Sequence, residues 1–212
     1  MPLHVIARAF LPIQTYVDLL IGDIILMKYD TENIKETIRA QLQYIGENPD
    51  RNGLQETPDR IVRAWNELFM GYKQNPGDIF TTFDTTQQIK GLVYLKNIEF
   101  FSMCEHHMLP FFGQAHIGYI PDGPVIGISK LARLLDIYAR RLQIQERIAE
   151  QVTSDLMHYL KPKGAVCLIE AKHLCISCRG VRKQSSIMGY SSVKGVFLND
   201  QKARNEFMRL IK

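Results

Sequence analysis

Residues 92–110 read L-V-Y-L-K-N-I-E-F-F-S-M-C-E-H-H-M-L-P, and they run from a predicted strand straight into residue types that bind metals. Leu92 to Phe101 is rich in β-branched and aromatic residues, which favours a strand. Cys104 and His107 follow at a spacing of three, so a thiolate and an imidazole share one short turn, as in half of a zinc site. Two ligands do not complete a site, so the rest of the chain must supply a third.

The segments that follow this stretch predict an α+β fold. Residues 114–120 alternate as a second strand, and a Pro-Asp-Gly-Pro turn ends it. The remaining predicted elements are a helix capped by Ser129, a helix through Ile144 to Leu160, strands at Ala165 to Arg179 and at Val193 to Leu198, and a last helix capped by Asn199. Strand pairs around a helix pair indicate an antiparallel sheet with the helices inserted between the strand pairs.

The N-terminal part of the chain is predicted to be helical. Asp30 or Thr31 caps a first helix, whose apolar stripe contains Ile34, Ile38, Leu42 and Ile45, and Thr57-Pro58 begins a second. The first 26 residues fit neither a membrane span nor a signal peptide, because Pro12, Asp18 and Asp23 interrupt the apolar pattern. We expect an atypical extension at 1–26, a helical region at 27–89 and a sheet-bearing domain at 90–212, with Met27 as a candidate native start.

The composition narrows the classes of partner. A net charge of +4, from 26 basic and 22 acidic residues, is too small to indicate nucleic-acid binding, and no basic run is interleaved with aromatic residues. We expect no membrane partner either. Four cysteines without a secretory signature are typical of a reducing compartment, so we expect a cytoplasmic protein. Cys167 has the character of a small buried hydrophobic residue.

The third predicted strand contains A-K-H-L-C-I-S-C-R-G and offers two candidates for the third ligand. If both cysteines bind, the site is a closed Cys3His zinc, which is structural. Alternation along a strand places His173, Cys175 and Arg179 on one face and Cys178 on the other, among apolar residues. This favours Cys175 as the ligand and Cys178 as a buried hydrophobic residue. An open zinc beside a histidine and an arginine predicts a reaction on an anionic substrate, because zinc lowers the pKa of bound water to about 7.

Four motifs, in order, resemble the GTP cyclohydrolase I family: S-M-C-E-H-H (102–107), V-I-G-I-S-K-L-A-R (125–133), R-R-L-Q-I-Q-E-R (140–147) and A-K-H-L-C-I-S-C-R-G (171–180). The resemblance covers about residue 30 to the C-terminus. It implies the tunnelling fold with a catalytic domain at 90–212, and a toroidal homodecamer with active sites between subunits. It also implies conversion of GTP and water to 7,8-dihydroneopterin triphosphate and formate, the first step of folate and pterin biosynthesis. Cys178 and residues 185–193 depart from the family pattern.

The resemblance implies a role for each matched residue. Zinc would be bound by Cys104, His107 and Cys175, with a catalytic water as the fourth ligand. His106 would be a neighbour that orients water without binding metal, and His173 would be the acid that protonates N7 of the purine. The remaining implied residues are Gln145 and Glu146 for guanine, Lys130, Arg133, Arg179 and Arg60 for the triphosphate, and Ser129 near the ribose. Glu105 receives no catalytic role.

Two other functions fit parts of the sequence. A tunnelling-fold relative that reduces a nitrile on a deazapurine would use a nucleophilic cysteine without zinc, and the C-E-H-H motif with the distant Cys175 argues against it. A non-catalytic protein with a closed Cys3His zinc is the other. Zinc content and GTP-dependent formate release, measured on one sample, separate all three hypotheses.

Overall fold

The computed structural model describes residues 30–80, 82–83 and 89–212. The predicted extension at 1–26 and the proposal of Met27 as the native start lie outside the described residues. The contacts divide the chain into two compact units, Met1–Ala64 and Trp65–Lys212, while the predicted boundary at residue 89 stays a prediction. Among the described residues, no helix is both long and apolar enough to cross a lipid bilayer.

The first unit contains the helix that the sequence predicts after Asp30. Helix α1 spans Thr31–Tyr44, and the Asp30 carboxylate accepts a hydrogen bond from the Glu32 N–H at 3.3 Å. This bond satisfies one of the free N–H groups at the start of the helix. Ile38, on the predicted apolar stripe, is 2% exposed. The predicted cap and helix are therefore confirmed.

The second predicted N-terminal helix is also present. Helix α2 spans Thr57–Leu68 and has Pro58 in its first turn, where a missing N–H leaves no helical hydrogen bond unmade. The Lys35 ammonium contacts the Asp59 carboxylate at 2.7 Å and so links the two helices. The Asp59 side chain is nearly half exposed, so this ion pair contributes little to stability.

A five-stranded sheet forms the centre of the second unit. Its strands are β2 (Val93–Cys104), β3 (Pro110–Ile120), β5 (Leu142–Gln143), β6 (Gly164–His173) and β7 (Met188–Gly195), and β1 (Thr82–Phe83) pairs separately with β4 (Val125–Ile126). The order across the sheet is β5-β2-β3-β6-β7. All neighbours are antiparallel except the short β5, which runs parallel to β2. The predicted antiparallel sheet is therefore confirmed, with one parallel edge strand.

Two helices lie between β3 and β6 in the chain, as the sequence predicts. Helix α3 spans Ser129–Ala139, and α4 spans Gln145–Asp155 and continues as a π-helical turn, Leu156–Leu160. Their apolar side chains share one core with the sheet, and its most buried members include Phe111, Ile117, Tyr119, Leu131, Leu134, Leu135, Ile148, Val152 and Leu156. Ser129 is the first residue of α3 rather than its cap, because Ile128 takes that position.

Strand β6 ends earlier than the sequence predicts. Its register pairs His173 with Phe111, directly beside Pro110, the first residue of β3, which has no N–H to extend the ladder. The backbone then satisfies its hydrogen bonds locally and forms a short helix, α5 (Leu174–Ser177). The predicted strand at 165–179 is therefore wrong beyond its ninth residue, and the alternation argument for Cys175 loses its premise.

The C-terminal elements are displaced from their predicted positions. Strand β7 ends at Gly195, whose φ of 62° is in the left-handed region and whose added Cβ would lie 2.3 Å from a backbone oxygen. Strand β7 therefore contains residues 193–195 of the predicted strand at 193–198, and a short helix, α6 (Val196–Asn199), takes the place of the remainder. The last helix, α7 (Gln201–Ile211), is capped by Asp200, which accepts from the Lys202 N–H at 2.7 Å. The predicted Asn199 cap is therefore wrong by one residue.

The close pairing of β3 with β6 predicts that Gly113→Ala is strongly destabilising. A Cβ at this position would lie 1.9 Å from the Glu170 carbonyl oxygen, a backbone atom that cannot rotate away. We expect the free energy of unfolding to fall by about 3 kcal/mol, at the upper end of overpacking costs. Gly189→Ala in β7 is the matched control, because its Cβ meets nothing within 4 Å. Equal urea midpoints for the two variants would contradict this packing argument.

Candidate metal centre and active site

The turn between β2 and β3 places the first two candidate ligands. Cys104 is the last residue of β2, its N–H donates to the Leu109 carbonyl at 2.9 Å, and its own carbonyl accepts from the Met108 N–H at 2.8 Å. This tight turn folds His107 back towards Cys104, so that the thiol sulfur lies 3.8 Å from Nδ1 of the imidazole. A thiolate and an imidazole bound to one tetrahedral zinc lie roughly 3.6 Å apart, so the pair already has the spacing of two ligands.

Helix α5 supplies the third candidate ligand. The ligand atoms of Cys104, His107 and Cys175 all lie within 4.8 Å of one another, and we call these three residues the metal cluster. Cys104 is buried, Cys175 is half-buried and His107 is exposed, so the cluster opens to solvent on the histidine side. Three ligands with one open side match the pattern of a catalytic rather than a structural zinc site.

Cys178 lies outside the metal cluster for a reason that the sequence did not reveal. Its thiol donates to the Leu174 carbonyl one helical turn earlier, at a sulfur–oxygen distance of 2.9 Å. The thiol of Cys178 is therefore turned to a backbone carbonyl and takes no part in the metal cluster, and alternation along a strand plays no role because α5 is helical. Cys178 is exposed, so the prediction that it is buried is wrong, whereas Cys167 is buried as predicted.

The electrostatics of the metal cluster favour a cation. Burial and, next to it, the neighbouring Cys104 side chain raise the pKa of the Cys175 thiol. Two adjacent thiolates repel each other, and a divalent cation between them removes that repulsion and deprotonates both. Nη1 of Arg179 lies 3.1 Å from Nε2 of His107. A cation bound through Nδ1 would leave the imidazole proton on Nε2, so Arg179 would lose this acceptor and be free for an anion.

His173 is held beside the metal cluster on two sides. It ends β6, two residues before Cys175, and its ring stacks on Phe111 with a centroid distance of 4.5 Å and an interplanar angle of 5°. Nε2 of its ring lies 2.8 Å from Oε1 of Gln145. Burial lowers the pKa of His173, and the Glu146 carboxylate partly opposes that shift. The ring is therefore fixed in the wall of the site and mainly neutral at pH 7.

An ion pair that the sequence analysis did not predict braces the metal-binding turn. Arg147 forms a two-pronged ion pair with Glu105, with Nη2 3.0 Å from Oε1, and this pair lowers the pKa of Glu105. The Glu105 N–H also donates to the Gln143 carbonyl at 3.0 Å. These contacts tie the turn to β5 and to the first turn of α4. In the sequence, Glu105 is next to the candidate ligand Cys104 and Arg147 directly follows Glu146. These adjacencies were the signal from which the ion pair could have been predicted.

The other implied residues occupy several places. His106 is exposed, with Nδ1 3.8 Å from the Cys104 sulfur, while Glu146 is half-buried in the first turn of α4. Ser129 and Lys130 begin α3. Arg133 lies on the same helix, and its side chain lines a cavity of about 410 Å³. Arg60 lies in the first unit, where it forms an ion pair with Glu56 at 2.8 Å.

Comparison with known proteins identifies close similarity over most of the chain. A family model described as GTP cyclohydrolase I matches residues 34–212. A GTP cyclohydrolase 1 from Wolinella succinogenes is 52% identical over 175 residues, which cover 82% of this chain and 94% of that protein. The GTP cyclohydrolase 1 of Thermobifida fusca is 49% identical over 86% of this chain and 88% of its own length. That of Streptomyces avermitilis is 47% identical over 90% and 94%.

The geometry of the metal cluster predicts opposite outcomes for the two neighbouring cysteines. We expect Cys175→Ser to lose bound zinc, because a hydroxyl is a far poorer ligand than a thiolate. Cys178→Ser is the matched control and is expected to keep zinc, since its thiol donates to the Leu174 carbonyl and lies outside the metal cluster. Zinc content of the purified proteins measures both. Retained metal in the first variant and lost metal in the second would reverse the ligand assignment.

Proposed function

The chain belongs to the GTP cyclohydrolase I family, and on that premise we propose that it converts GTP and water to 7,8-dihydroneopterin triphosphate and formate. The observation that carries this proposal is the position of His173 and Cys175 on consecutive elements, which brings a fixed imidazole next to a cluster of two thiols and a second imidazole. Hydrolysis of a purine ring needs both an activated water and a proton donor for the ring.

Zinc is the metal that this donor set fits best. Two cysteines and one histidine are ligand types that zinc prefers, whereas magnesium and calcium prefer oxygen donors. The fit rests on the mutual distances within the metal cluster and on the raised pKa of Cys175, which a bound cation would lower. When bound, zinc would supply Lewis acidity and a water whose pKa is close to neutral. Cys104, His107 and Cys175 would hold it and leave one position open.

The protein's own histidines would manage the protons of the reaction. We assign His173 as the group that gives a proton to N7 of the purine as water attacks C8. Its stacking on Phe111 and its bond to Gln145 fix the ring, so little orientational freedom is lost when substrate binds. We assign His106, which is exposed next to Cys104, to orient water without binding the metal.

Recognition of GTP would divide between a carboxylate and basic residues. Glu146 would accept hydrogen bonds from N1–H and the 2-amino group of guanine, a pair of donors that adenine lacks. We assign the triphosphate to Arg179, which lies against the metal cluster, together with Lys130, Arg133 and Arg60, and we assign Ser129 to the ribose. Exposed guanidinium and ammonium groups suit phosphate oxygens because their hydrogen bonds are charge-assisted.

Membership of the family also bears on the oligomeric state, the pathway and the location of the protein. We propose a homodecamer with active sites between subunits, and a place in folate and pterin biosynthesis. Phe101 is 54% exposed and stacks on the half-buried Phe112 at 5.5 Å, and an exposed aromatic ring of this kind is suited to a subunit contact. A cytoplasmic location agrees with four cysteines that are all free thiols.

The assignment of His173 predicts that His173→Ala keeps zinc but loses turnover. Without a positioned proton donor, GTP-dependent formate release is expected to fall by about 10² to 10⁴. The control is His158→Ala, which removes an exposed histidine in the π-helical turn. Zinc content and formate release are measured on the same samples. Activity within a few-fold of the unmutated protein would remove His173 from the mechanism.

The assignment of Glu146 predicts a nucleotide-dependent loss in Glu146→Gln. A hydrogen bond to a charged group contributes about 1.5 to 3 kcal/mol and a mispaired buried donor costs about 1 to 3 more, so kcat/KM for GTP is expected to fall at least about 100-fold. Inosine triphosphate lacks the 2-amino group and should be penalised less. Glu150→Gln, one turn further along α4, is the control and should leave the ratio of the two nucleotides unchanged. Equal losses for both nucleotides in Glu146→Gln would show that this carboxylate does not read the 2-amino group.

A further inference from the structure

Gln145 is a fully buried amide at the start of α4, and a buried amide needs partners for all its polar atoms. Its Nε2 donates to two backbone carbonyls, that of Ile169 in β6 at 2.9 Å and that of Met188 in β7 at 3.0 Å. Both hydrogens of the amide are therefore committed to the sheet. They are not available to guanine, the role that the family resemblance implies for this residue.

The two carbonyls also decide which way the amide points. A backbone carbonyl can only accept, so the amide nitrogen must face Ile169 and Met188, and a flipped amide would set three oxygens against one another. Oε1 of Gln145 is thereby directed at Nε2 of His173, at 2.8 Å. Because Oε1 can also only accept, Nε2 of His173 must carry a proton. The tautomer of the neutral imidazole is fixed by a network anchored in two strands.

The ring of His173 is then constrained on its face and on one edge. Phe111 is fully buried and stacks on the ring, which prevents rotation out of plane. The amide of Gln145 holds the Nε2 edge. Among the partners that the described residues offer, none bonds to Nδ1 of His173, so Nδ1 is the nitrogen left for a ligand of the site.

We propose that Gln145 is a positioning residue for His173: it fixes the ring orientation and the Nε2–H tautomer, so that Nδ1 is the nitrogen presented to the purine. The proton given to N7 is then the second proton of the ring, taken up at Nδ1, while Nε2–H stays bonded to Gln145. This inference rests on the proposed function for its consequence in turnover, but not for the tautomer itself. It gives Gln145 a different task from guanine recognition. The specificity for guanine then falls to Glu146 and to backbone groups, because the side chain of Gln145 has no free donor.

The first measurement is spectroscopic and uses the full-length zinc-loaded protein labelled with ¹⁵N-histidine. Long-range ¹H–¹⁵N correlation spectra at alkaline pH, where the ring is neutral, report which nitrogen carries the proton, and His173→Ala identifies the signals. We expect the Nε2–H form in the unmutated protein. A predominant Nδ1–H form would overturn the proposal without any variant of Gln145. Because this readout needs no turnover, it stands even if the protein releases no formate from GTP.

The second measurement uses Gln145→Met, which keeps the length of the side chain but removes the amide. We expect a mixture of tautomers and a fall of about 10² in kcat for formate release, while KM for GTP and the preference over inosine triphosphate stay within a few-fold. Gln145→Glu, with the oxygen that faces the Ile169 and Met188 carbonyls protonated and donating to one of them, retains an acceptor for Nε2 and is expected to restore the Nε2–H form and part of kcat. An unchanged tautomer in Gln145→Met, or a loss confined to KM and nucleotide preference, would overturn the proposal.

A matched control separates positioning from simple loss of a buried hydrogen bond. Thr153 lies two turns along the same helix, and its buried hydroxyl bonds to that of Ser192 in β7 at 2.8 Å. Thr153→Val therefore breaks a comparable link between α4 and β7 without touching His173. We expect it to lower the thermal midpoint but to leave the tautomer and kcat unchanged. A shift of the His173 tautomer in this control would show that the effect is only structural.

Discussion

The site depends on one constraint: the ends of three adjacent strands lie side by side at the same end of the sheet. Strand β2 ends at Cys104, β3 begins at Pro110, and β6 ends at His173, opposite Phe111. The tight turn between β2 and β3 carries two candidate metal ligands, and after the ladder ends beside Pro110 the chain that follows His173 forms a helical turn. That turn brings the third ligand to the first two. Backbone hydrogen bonding, rather than attraction between the ligands, therefore assembles the metal cluster in the structure.

The inserted helix pair supplies the second layer of support. The first residues of α4 face the site, with Gln145 bonded to β6, β7 and His173, and Arg147 paired with Glu105 in the metal-binding turn. The buried amide is the more constraining of the two contacts, because an unsatisfied buried polar group costs about 1 to 3 kcal/mol. The Glu105–Arg147 pair is partly exposed, so it contributes little to the free energy of folding and serves mainly to orient the turn. One helix start thus positions both a candidate proton donor and a metal-binding loop.

The chemical character of the site follows from what is buried and what is open. The cysteines lie on the buried side of the metal cluster and His107 lies on the solvent side, which leaves room for water and an anionic substrate. A half-buried His173 with a lowered pKa remains mostly neutral at pH 7, so it gives up a proton readily once it has acquired one. Arg179, in contact with His107, adds positive charge at the open side. A candidate metal cluster, a titratable imidazole and a guanidinium therefore lie next to one another.

The sequence by itself determined the order of the longer helices and strands, the α+β class, the antiparallel sheet and the candidate ligands Cys104, His107 and Cys175, because periodicity and ligand spacing are local properties. It chose Cys175 over Cys178 for a wrong reason, since alternation assumes a strand that in fact ends at His173. Where that strand ends depends on the neighbouring strand β3, whose first residue, Pro110, lies far away in the sequence. The positioning role of Gln145 was equally hidden, because as part of a helical motif it resembles a polar surface residue. Only the packing of α4 on β6 and β7 buries its amide and engages both of its N–H hydrogens in hydrogen bonds. Tertiary structure decided these points because hydrogen-bond partners of buried groups are set by distant segments of the chain.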